Sequence, residues 1–201
     1  MSESRSQNGE DLIVAAQFPP DFKGTLLEIG AWEPINLSNS RLLIEAGWSA
    51  VLCEFSPIPV SKLIREYAHI FERVQVIAAA ITAEPGHVAE FRITDDALSG
   101  NDAKHLKLWE KDGGFYGNLW VPTLTVRKLL DQFFGDRQID FASIDIEGNS
   151  TEVTIALLRT DHRPRVICWE HNGRAVEVMQ VAEKYGYKMV HLNQENAVIA
   201  K

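Results

Sequence analysis

The sequence has few cysteines, no long apolar run and no excess of positive charge. Its two cysteines, Cys53 and Cys168, lie in predicted apolar strands, which favours buried thiols over a disulfide and indicates a reducing compartment. No apolar run reaches the roughly 20 residues of a membrane helix, and residues 1–10 are too polar for a signal peptide. Because the net charge is −8, a nucleic acid duplex is a poor partner. We expect a cytoplasmic protein that binds neither membrane nor nucleic acid.

The glycine spacing of a dinucleotide-binding loop is missing as well. That fingerprint is G-x-G-x-x-G, whereas the next glycine after Gly30 is Gly47. A nicotinamide-dependent oxidoreductase is therefore disfavoured and is retained only as an alternative.

What the sequence does have is a regular alternation of apolar strands and amphipathic helices. Strands are predicted at residues 25–30, 50–54, 74–80, 87–93, 139–144, 165–169, 187–192 and 195–200. Helices are predicted at residues 36–46, 57–69 and 150–158, after Thr125, and around Val178. This alternation predicts an α/β fold with a mainly parallel sheet and an antiparallel C-terminal hairpin. We expect one domain over the 201 residues, with residues 1–8 flexible.

The first two strands have the pattern of a nucleoside-binding unit. The first ends in Glu28 and Gly30, and the second ends in Glu54, about two dozen residues after Gly30. In dinucleotide-binding folds a glycine lets the backbone approach the ligand, and an acid roughly 20 residues later accepts hydrogen bonds from the ribose. We expect Glu54 to have that role.

Polar side chains also follow other predicted strands. The strand ends concerned carry Glu28 and Gly30, Glu54, Asp145 and Glu147, and Glu170 and His171. Ligands of open α/β sheets bind at the carboxyl ends of the strands, so these residues together indicate a site. Taken singly, the acids are also consistent with helix-capping roles, and the histidine with a hydrogen-bonded or solvated side chain.

Residues 94–120 show no periodicity but contain several glycines and aromatic side chains. A connection of this length within a compact domain is usually a functional lid or a disordered loop. We predict that residues 94–120 form a mobile lid over the pocket for the acceptor, the molecule on which the protein would act. The alternative is a surface excursion with its own small hydrophobic cluster.

Several short motifs give the chain a family resemblance. They are Ser6–Asp11 (SQNGED), Leu27–Ala31 (LEIGA), Ser38–Ser40 with Gly47–Trp48, Glu54–Pro57, Val121–Thr123 and Ile144–Gly148 (IDIEG). In this order they resemble the FkbM-type methyltransferases, over nearly the whole chain. That resemblance implies the Rossmann-like, doubly wound fold of class I methyltransferases and S-adenosylmethionine as cofactor.

The resemblance also implies roles for individual residues. The cofactor-binding set it implies is Glu28, Gly30, Ala31, Glu54, Phe55, Ala79, Ala80 and Asp145, with Glu54 at the ribose and the alanine pair near the adenine. Asp145 and Glu147 are expected to face the reacting centre. One stretch departs from the family pattern GAxDG, because Trp32, Glu33 and Pro34 follow the Gly-Ala pair.

Pro34 cannot adopt a positive φ and donates no hydrogen bond, so the loop must follow another path past the methionine moiety. Glu33 is expected to replace the acid that holds the methionine amino group. The same departure keeps open a catalytically silent, methyltransferase-like binding module.

Methyl transfer requires alignment of a nucleophile with the methyl group and exclusion of water. If the nucleophile is a hydroxyl, Asp145, Glu147 and His171 are the candidate bases. The same residues suit a divalent metal ion, but no metal site is predicted. The predicted activity is O-methylation of a small-molecule or glycan acceptor.

Overall fold

The computed structural model describes residues 3–86, 88–93, 107 and 117–201 and confirms the predicted α/β fold. The strands are β1 (Thr25–Ile29), β2 (Ser49–Glu54), β3 (Val74–Ala78), β4 (Ala80–Thr82), β5 (Val88–Ile93), β6 (Gly117–Thr125), β7 (Phe141–Ile144), β8 (Val166–Glu170), β9 (Lys188–Leu192) and β10 (Asn196–Ala200). The helices are α1 (Glu10–Ala15), α2 (Arg41–Glu45), α3 (Pro57–Tyr67), α4 (Val126–Phe133), α5 (Ser150–Leu158) and α6 (Ala175–Ala182).

The main sheet has seven strands in the order β3-β2-β1-β7-β8-β10-β9. The strands from β3 to β8 in this order are parallel, whereas β10 is antiparallel to both β8 and β9. The chain therefore ends in the predicted antiparallel hairpin. Strand order reverses between β1 and β7, and such a reversal opens a crevice at the carboxyl ends of the strands. A smaller sheet has the order β4-β6-β5.

Hydrophobic residues bury both faces of the main sheet. Leu26 and Leu27 are neighbours in β1, and they belong to different core clusters because successive strand side chains point to opposite faces. One cluster contains residues of α4, α5 and α6, and the other contains residues of α1, α2 and α3. The sheet is thus covered by helices on both sides, as the doubly wound fold requires.

The helix predicted at residues 36–46 is wrong in its first half, since α2 covers only Arg41–Glu45. Leu37 was expected to belong to that helix, but it has a φ of 56° and is 52% exposed. The next three residues, Ser38 to Ser40, are buried instead. Polar contacts of these residues with the strand ends replace the helical hydrogen bonds, as described below.

The strand predicted at residues 74–80 is divided between the two sheets. β3 ends at Ala78 on the edge of the main sheet, and β4 begins at Ala80 beside β6. The amide of Ala79 donates to the carbonyl of Glu54 at 3.1 Å. The switch of sheets therefore takes place next to the end of β2.

The predicted lid at residues 94–120 falls largely outside the described residues. Its last four residues, 117–120, belong to β6, and the lid stays a prediction. At the other end of the chain, residues 4–8, which we expected to be flexible, make hydrogen bonds to Glu10 and Asp11. In the part of the chain that is described, no helix is long and apolar enough to cross a membrane.

Candidate functional site

A cavity of about 240 Å³ lies at the carboxyl ends of β1 and β2. Residues expected to bind a cofactor line its wall: Gly30, Glu54, Phe55, Ala79 and Ala80. The opposite part of the wall comes from the start of α5 and the turn before it, through Ile146, Asn149, Glu152 and Val153. No sequence motif pointed to this second group, although the sequence predicts a helix that begins just after the strand end at Asp145.

Glu54 is held in this wall by backbone hydrogen bonds. The amides of Phe55 and Ser56 both donate to its Oε1 at 2.7 Å, and the amide of Trp32 donates to its Oε2 at 3.1 Å. Burial raises the pKa of the Glu54 carboxyl, and these hydrogen bonds oppose that rise. Because a carboxylate oxygen can accept two hydrogen bonds, Oε2 can still accept one from a ligand.

Gly30 is required by a contact within the protein. Its φ is 87°, and a Cβ at this position would lie 1.7 Å from the carbonyl oxygen of Asp145. The amides of Gly30 and Ala31 donate to the carbonyl of Cys53 at 2.9 and 3.1 Å. These amides therefore join β1 to β2. Ala31 itself is buried in the core cluster below and is not part of the described cavity wall.

Glu28 lies beneath the site and does not line the cavity. Its side chain is 5% exposed, and Ser40 Oγ donates to its Oε2 at 2.6 Å. Burial raises the pKa of Glu28 to about 7, although hydrogen bonds from Ser40 and Asn39 lower it. Asn39 Nδ2 also donates to Ser143 Oγ at 3.1 Å. Residues 38–40 thus connect β1 and β7 through buried polar contacts.

The stretch Trp32–Pro34, which departs from the family pattern, contacts α3 through Glu33 and Pro34. Glu33 forms an ion pair with Lys62, and the Tyr67 hydroxyl donates to the carbonyl of Pro34 at 3.0 Å. Trp32 has a φ of 27°, a conformation that side-chain-bearing residues adopt at a cost. The loop therefore takes a defined path in which the Glu33 carboxylate is already paired.

Asp145 and Glu147 form an acidic group with Glu170. Carboxylate oxygens of these residues lie within 4.8 Å of one another, close enough to hold a metal ion. Asp145 is exposed to solvent, with dense protein around it. The surrounding protein, together with the charges of Glu170, Glu147 and Glu28, raises the pKa of the Asp145 carboxyl well above its usual range. Among the described residues, Glu170 and not His171 lies beside Asp145 and Glu147, the two acids expected at the reacting centre.

His171 has both ring nitrogens engaged with backbone groups. The amide of Gly173 donates to Nδ1 at 2.9 Å, so Nδ1 is an acceptor and Nε2 carries the proton. Nε2 then donates to the carbonyl of Asn193 at 3.1 Å. In this arrangement neither nitrogen is available to take a proton from a substrate, and the ring instead fixes the turn after β8 to the terminal hairpin.

The SQNGED motif supports the same hairpin. Glu10 is completely buried, and its Oε1 accepts hydrogen bonds at 2.9 Å from the side-chain amides of both Asn193 and Asn196. The amide of Asn8 donates to its Oε2 at 2.9 Å. Burial raises the pKa of Glu10, but the hydrogen bonds outweigh it and bring the pKa down to about 2. The motif therefore fixes the N-terminal segment to the terminal hairpin.

A family model described as the Methyltransferase FkbM domain matches residues 28–189. Among solved structures, methyltransferase FkbM from Methylobacillus flagellatus KT is similar, with a TM-score of 0.53 and 13% identity, over 89% of this chain and 44% of that chain. The N-terminal domain of human METTL16, in complex with SAH, has a TM-score of 0.50 and 12% identity, over 95% and 65%.

At these identities the two structures show the fold alone. The present chain spans less than half the length of the Methylobacillus protein, at 44%. A comparison with curated proteins gives no match.

Proposed function

The chain belongs to the FkbM methyltransferase family, and we propose that it transfers a methyl group from S-adenosylmethionine to a hydroxyl group of a small-molecule or glycan acceptor. The observation that carries the proposal is the cavity at the carboxyl ends of β1 and β2. There a carboxylate, Glu54, stands in a wall that is otherwise mostly apolar. An adenosine presents the complementary pattern of two ribose hydroxyls and a flat, mainly apolar base.

The residues of the wall fit such a ligand. Glu54 Oε2 accepts one hydrogen bond, from the Trp32 amide, and has a lone pair left for a ribose hydroxyl. Phe55 offers an aromatic face, and Ala79 and Ala80 offer small apolar surfaces for the base. A ribose hydroxyl that donates to Oε2 would displace none of the backbone hydrogen bonds that hold Glu54.

When bound, S-adenosylmethionine supplies an electrophilic methyl group on a sulfonium. The protein must then hold the acceptor hydroxyl and take its proton as the new C–O bond forms. Asp145 suits that step because its raised pKa gives the carboxylate a high affinity for a proton. The surrounding protein is the main cause of this raised pKa, and the negative charges of Glu170 and Glu147 add to it.

A second candidate function is a binding module that takes the cofactor but transfers nothing. The observation that favours it is the pairing of Glu33 with Lys62, because Glu33 was expected to hold the methionine amino group. Incubation with labelled S-adenosylmethionine and a panel of hydroxyl acceptors separates the two candidates. Binding without transfer to any acceptor would favour the module.

The cofactor assignment can be tested by calorimetry with S-adenosylhomocysteine and its 2′,3′-dideoxyribose analogue. A hydrogen bond to a charged group contributes about 1.5–3 kcal/mol, so loss of the ribose hydroxyls should weaken binding to the native protein roughly 10- to 100-fold. In Glu54→Gln this difference should shrink several-fold. A change in the ligand is preferable to Glu54→Ala alone, which would leave three backbone amides without their acceptor.

Glu84→Gln is the matched control, since Glu84 lies at the exposed rim of the same cavity. It removes an acid from the wall and should leave the ratio of the two affinities unchanged. Absence of binding by the folded native protein would refute the cofactor assignment. An undiminished ratio in Glu54→Gln would refute the ribose role of Glu54.

A further inference from the structure

We propose that Arg5 binds a carboxylate or phosphate group of the acceptor, so that the acceptor is an acidic hydroxy compound such as a uronic acid or a sugar phosphate. This inference rests on the proposed function and names the substrate class of the same site. It concerns a residue that lies just before the SQNGED motif.

The side chain of Arg5 has no polar partner in the described part of the chain. Its Nε is buried and donates no hydrogen bond, while Nη1 and Nη2, which also have no acceptor, are not closed off from solvent. A half-buried guanidinium without an acceptor is costly, so Arg5 favours a ligand that brings one. Other half-buried arginines donate hydrogen bonds within the protein: Arg41, Arg73, Arg163 and Arg174.

Asp11 lies close to Arg5, but its carboxylate is already saturated. Its Oδ2 accepts a hydrogen bond from the Arg5 amide at 2.7 Å. Its Oδ1 accepts from the hydroxyls of Ser4 and Ser6 and from a backbone amide. Since a carboxylate has about four acceptor positions, these donors fill it. The positive charge of the Arg5 guanidinium is therefore not used by this neighbour.

Arg5 lies on the same side of the main sheet as Asp145. The Ser38 amide donates to the Arg5 carbonyl at 3.1 Å, which places Arg5 next to the loop after β1. In that loop, Asn39 Nδ2 donates to Ser143 Oγ of β7. Side chains two residues apart along a strand point to the same side, so Asp145 follows Ser143 towards this loop.

From Arg5 the N-terminal segment runs along the carboxyl ends of the central strands. Three residues later, Asn8 Nδ2 donates to Glu195 Oε2 at 3.0 Å. The carbonyl of Glu195 in turn accepts from the His171 amide at 2.9 Å, just after β8. The segment therefore passes from the loop after β1 to the end of β8. Because β7 lies between these two strands, the segment borders the acidic group around Asp145.

This arrangement indicates which part of the acceptor is anionic. The proposed base, Asp145, requires the acceptor hydroxyl beside it, but Glu147 and Glu170 would repel an anionic group at that point. Arg5 can hold such a group away from these acids, because a guanidinium binds carboxylate and phosphate oxygens through two parallel hydrogen bonds. The acceptor is then a molecule with its hydroxyl and its acidic group at separate positions.

The test is an NMR titration that follows the Nε–H signal of Arg5, which is assigned by its loss in Arg5→Gln. The probes are D-glucuronate, D-glucose 6-phosphate and D-glucose, each added with and without S-adenosylhomocysteine. All three have a sugar ring with hydroxyls, and they differ in the charged group. One or both acidic sugars should move the signal saturably, and glucose at the same concentration should not. Which acid responds separates a carboxylate ligand from a phosphate ligand.

The affinity of each variant for the acidic sugar is followed through the Ser38 amide signal, since this amide contacts Arg5. Arg5→Gln should bind roughly 10- to 100-fold more weakly than the native protein, because it loses hydrogen bonds between charged groups. Arg5→Lys keeps the charge but not the planar fork, so it should retain part of the affinity. Arg65→Gln is the matched control: it removes the same charge from an exposed arginine of α3 and should bind like the native protein.

The inference is wrong if neither acid moves the Arg5 signal, if glucose moves it equally, or if Arg5→Gln binds as tightly as the native protein. Equal weakening in Arg65→Gln would reveal a general effect of charge and would also refute it. If the folded protein does not bind S-adenosylhomocysteine, the proposed function is wrong. The titrations without that compound still decide whether Arg5 binds an anion.

Discussion

Replacing Glu28 by glutamine should stabilise the protein far more at pH 8 than at pH 5.5. Glu28 is buried under the candidate site, and burial raises its pKa from 4.5 to about 7. The native protein must therefore hold a carboxylate in a poor environment at pH 8, whereas at pH 5.5 the group is mostly protonated. Glutamine has nearly the same shape and no charge, and its carbonyl oxygen can still accept from Ser40 Oγ.

The sign and size of the effect follow from proton linkage. A raised pKa means that the folded state binds the proton more tightly than the unfolded chain does. The free energy of unfolding therefore falls as the pH rises from 4.5 through 7, the two pKa values involved. At about 1.36 kcal/mol per pKa unit the whole span is about 3 kcal/mol, of which about 2 kcal/mol lies between pH 5.5 and 8.

Urea denaturation at both pH values measures the effect. The difference in unfolding free energy between Glu28→Gln and the native protein should grow by about 2 kcal/mol from pH 5.5 to pH 8. Glu183→Gln, at an exposed position, is the control for an ordinary loss of one negative charge. If native protein and Glu28→Gln lose stability in parallel between the two pH values, the burial argument is refuted.

Two further predictions concern acids with other roles. Asp145→Asn should lower methyl transfer roughly 100- to 10,000-fold; equal transfer rates would exclude Asp145 as the base. Glu10→Gln should lower the unfolding free energy by about 1–3 kcal/mol at pH 7, because an amide cannot accept from all its partners. The pKa of Glu10 is lowered from 4.5 to about 2, so the Glu10 carboxylate stabilises the folded protein fully above pH 4.5 and loses this effect as the pH falls towards 2. If the difference in unfolding free energy between Glu10→Gln and the native protein persists near pH 2, this explanation is wrong.

The elements that the sequence predicted well are those whose side chains obey a simple period. The helix after Thr125 is an example, since α4 buries Val126, Leu129 and Leu130, and the Thr125 hydroxyl accepts from the Lys128 amide at 3.2 Å. The strand ends at Glu28 and Glu54 were also predicted, because an apolar run that stops at an acid and is followed by a glycine or proline marks a strand before a turn or helix. Local pattern was sufficient in these places.

Pattern failed where contacts across the fold decide the conformation. Residues 36–40 have helix-compatible spacing, yet Ser40 donates to Glu28 and Asn39 donates to Ser143. These partners come from β1 and β7 and are remote in sequence. Buried polar groups must be hydrogen-bonded, so these long-range contacts outweigh helix propensity.

The acidic cluster shows a second limit. Glu170 and His171 were both assigned to the end of β8, but Glu170 joins Asp145 and Glu147 while the His171 ring turns to Asn193 and Gly173. Neighbouring residues at a strand end point in different directions. A one-dimensional pattern located the strand end correctly and could not select between the two side chains.

The departure at Trp32 and the assignment of Glu54 are connected by a single hydrogen bond. Trp32 has a φ of 27°, and its amide donates to Glu54 Oε2 at 3.1 Å. The uncommon backbone angle thus coincides with a contact that orients the expected ribose acceptor. Two residues further on is Pro34, which cannot take a positive φ and whose carbonyl accepts a hydrogen bond from the Tyr67 hydroxyl. The uncommon conformation of Trp32 therefore serves the carboxylate that we propose as the ribose acceptor.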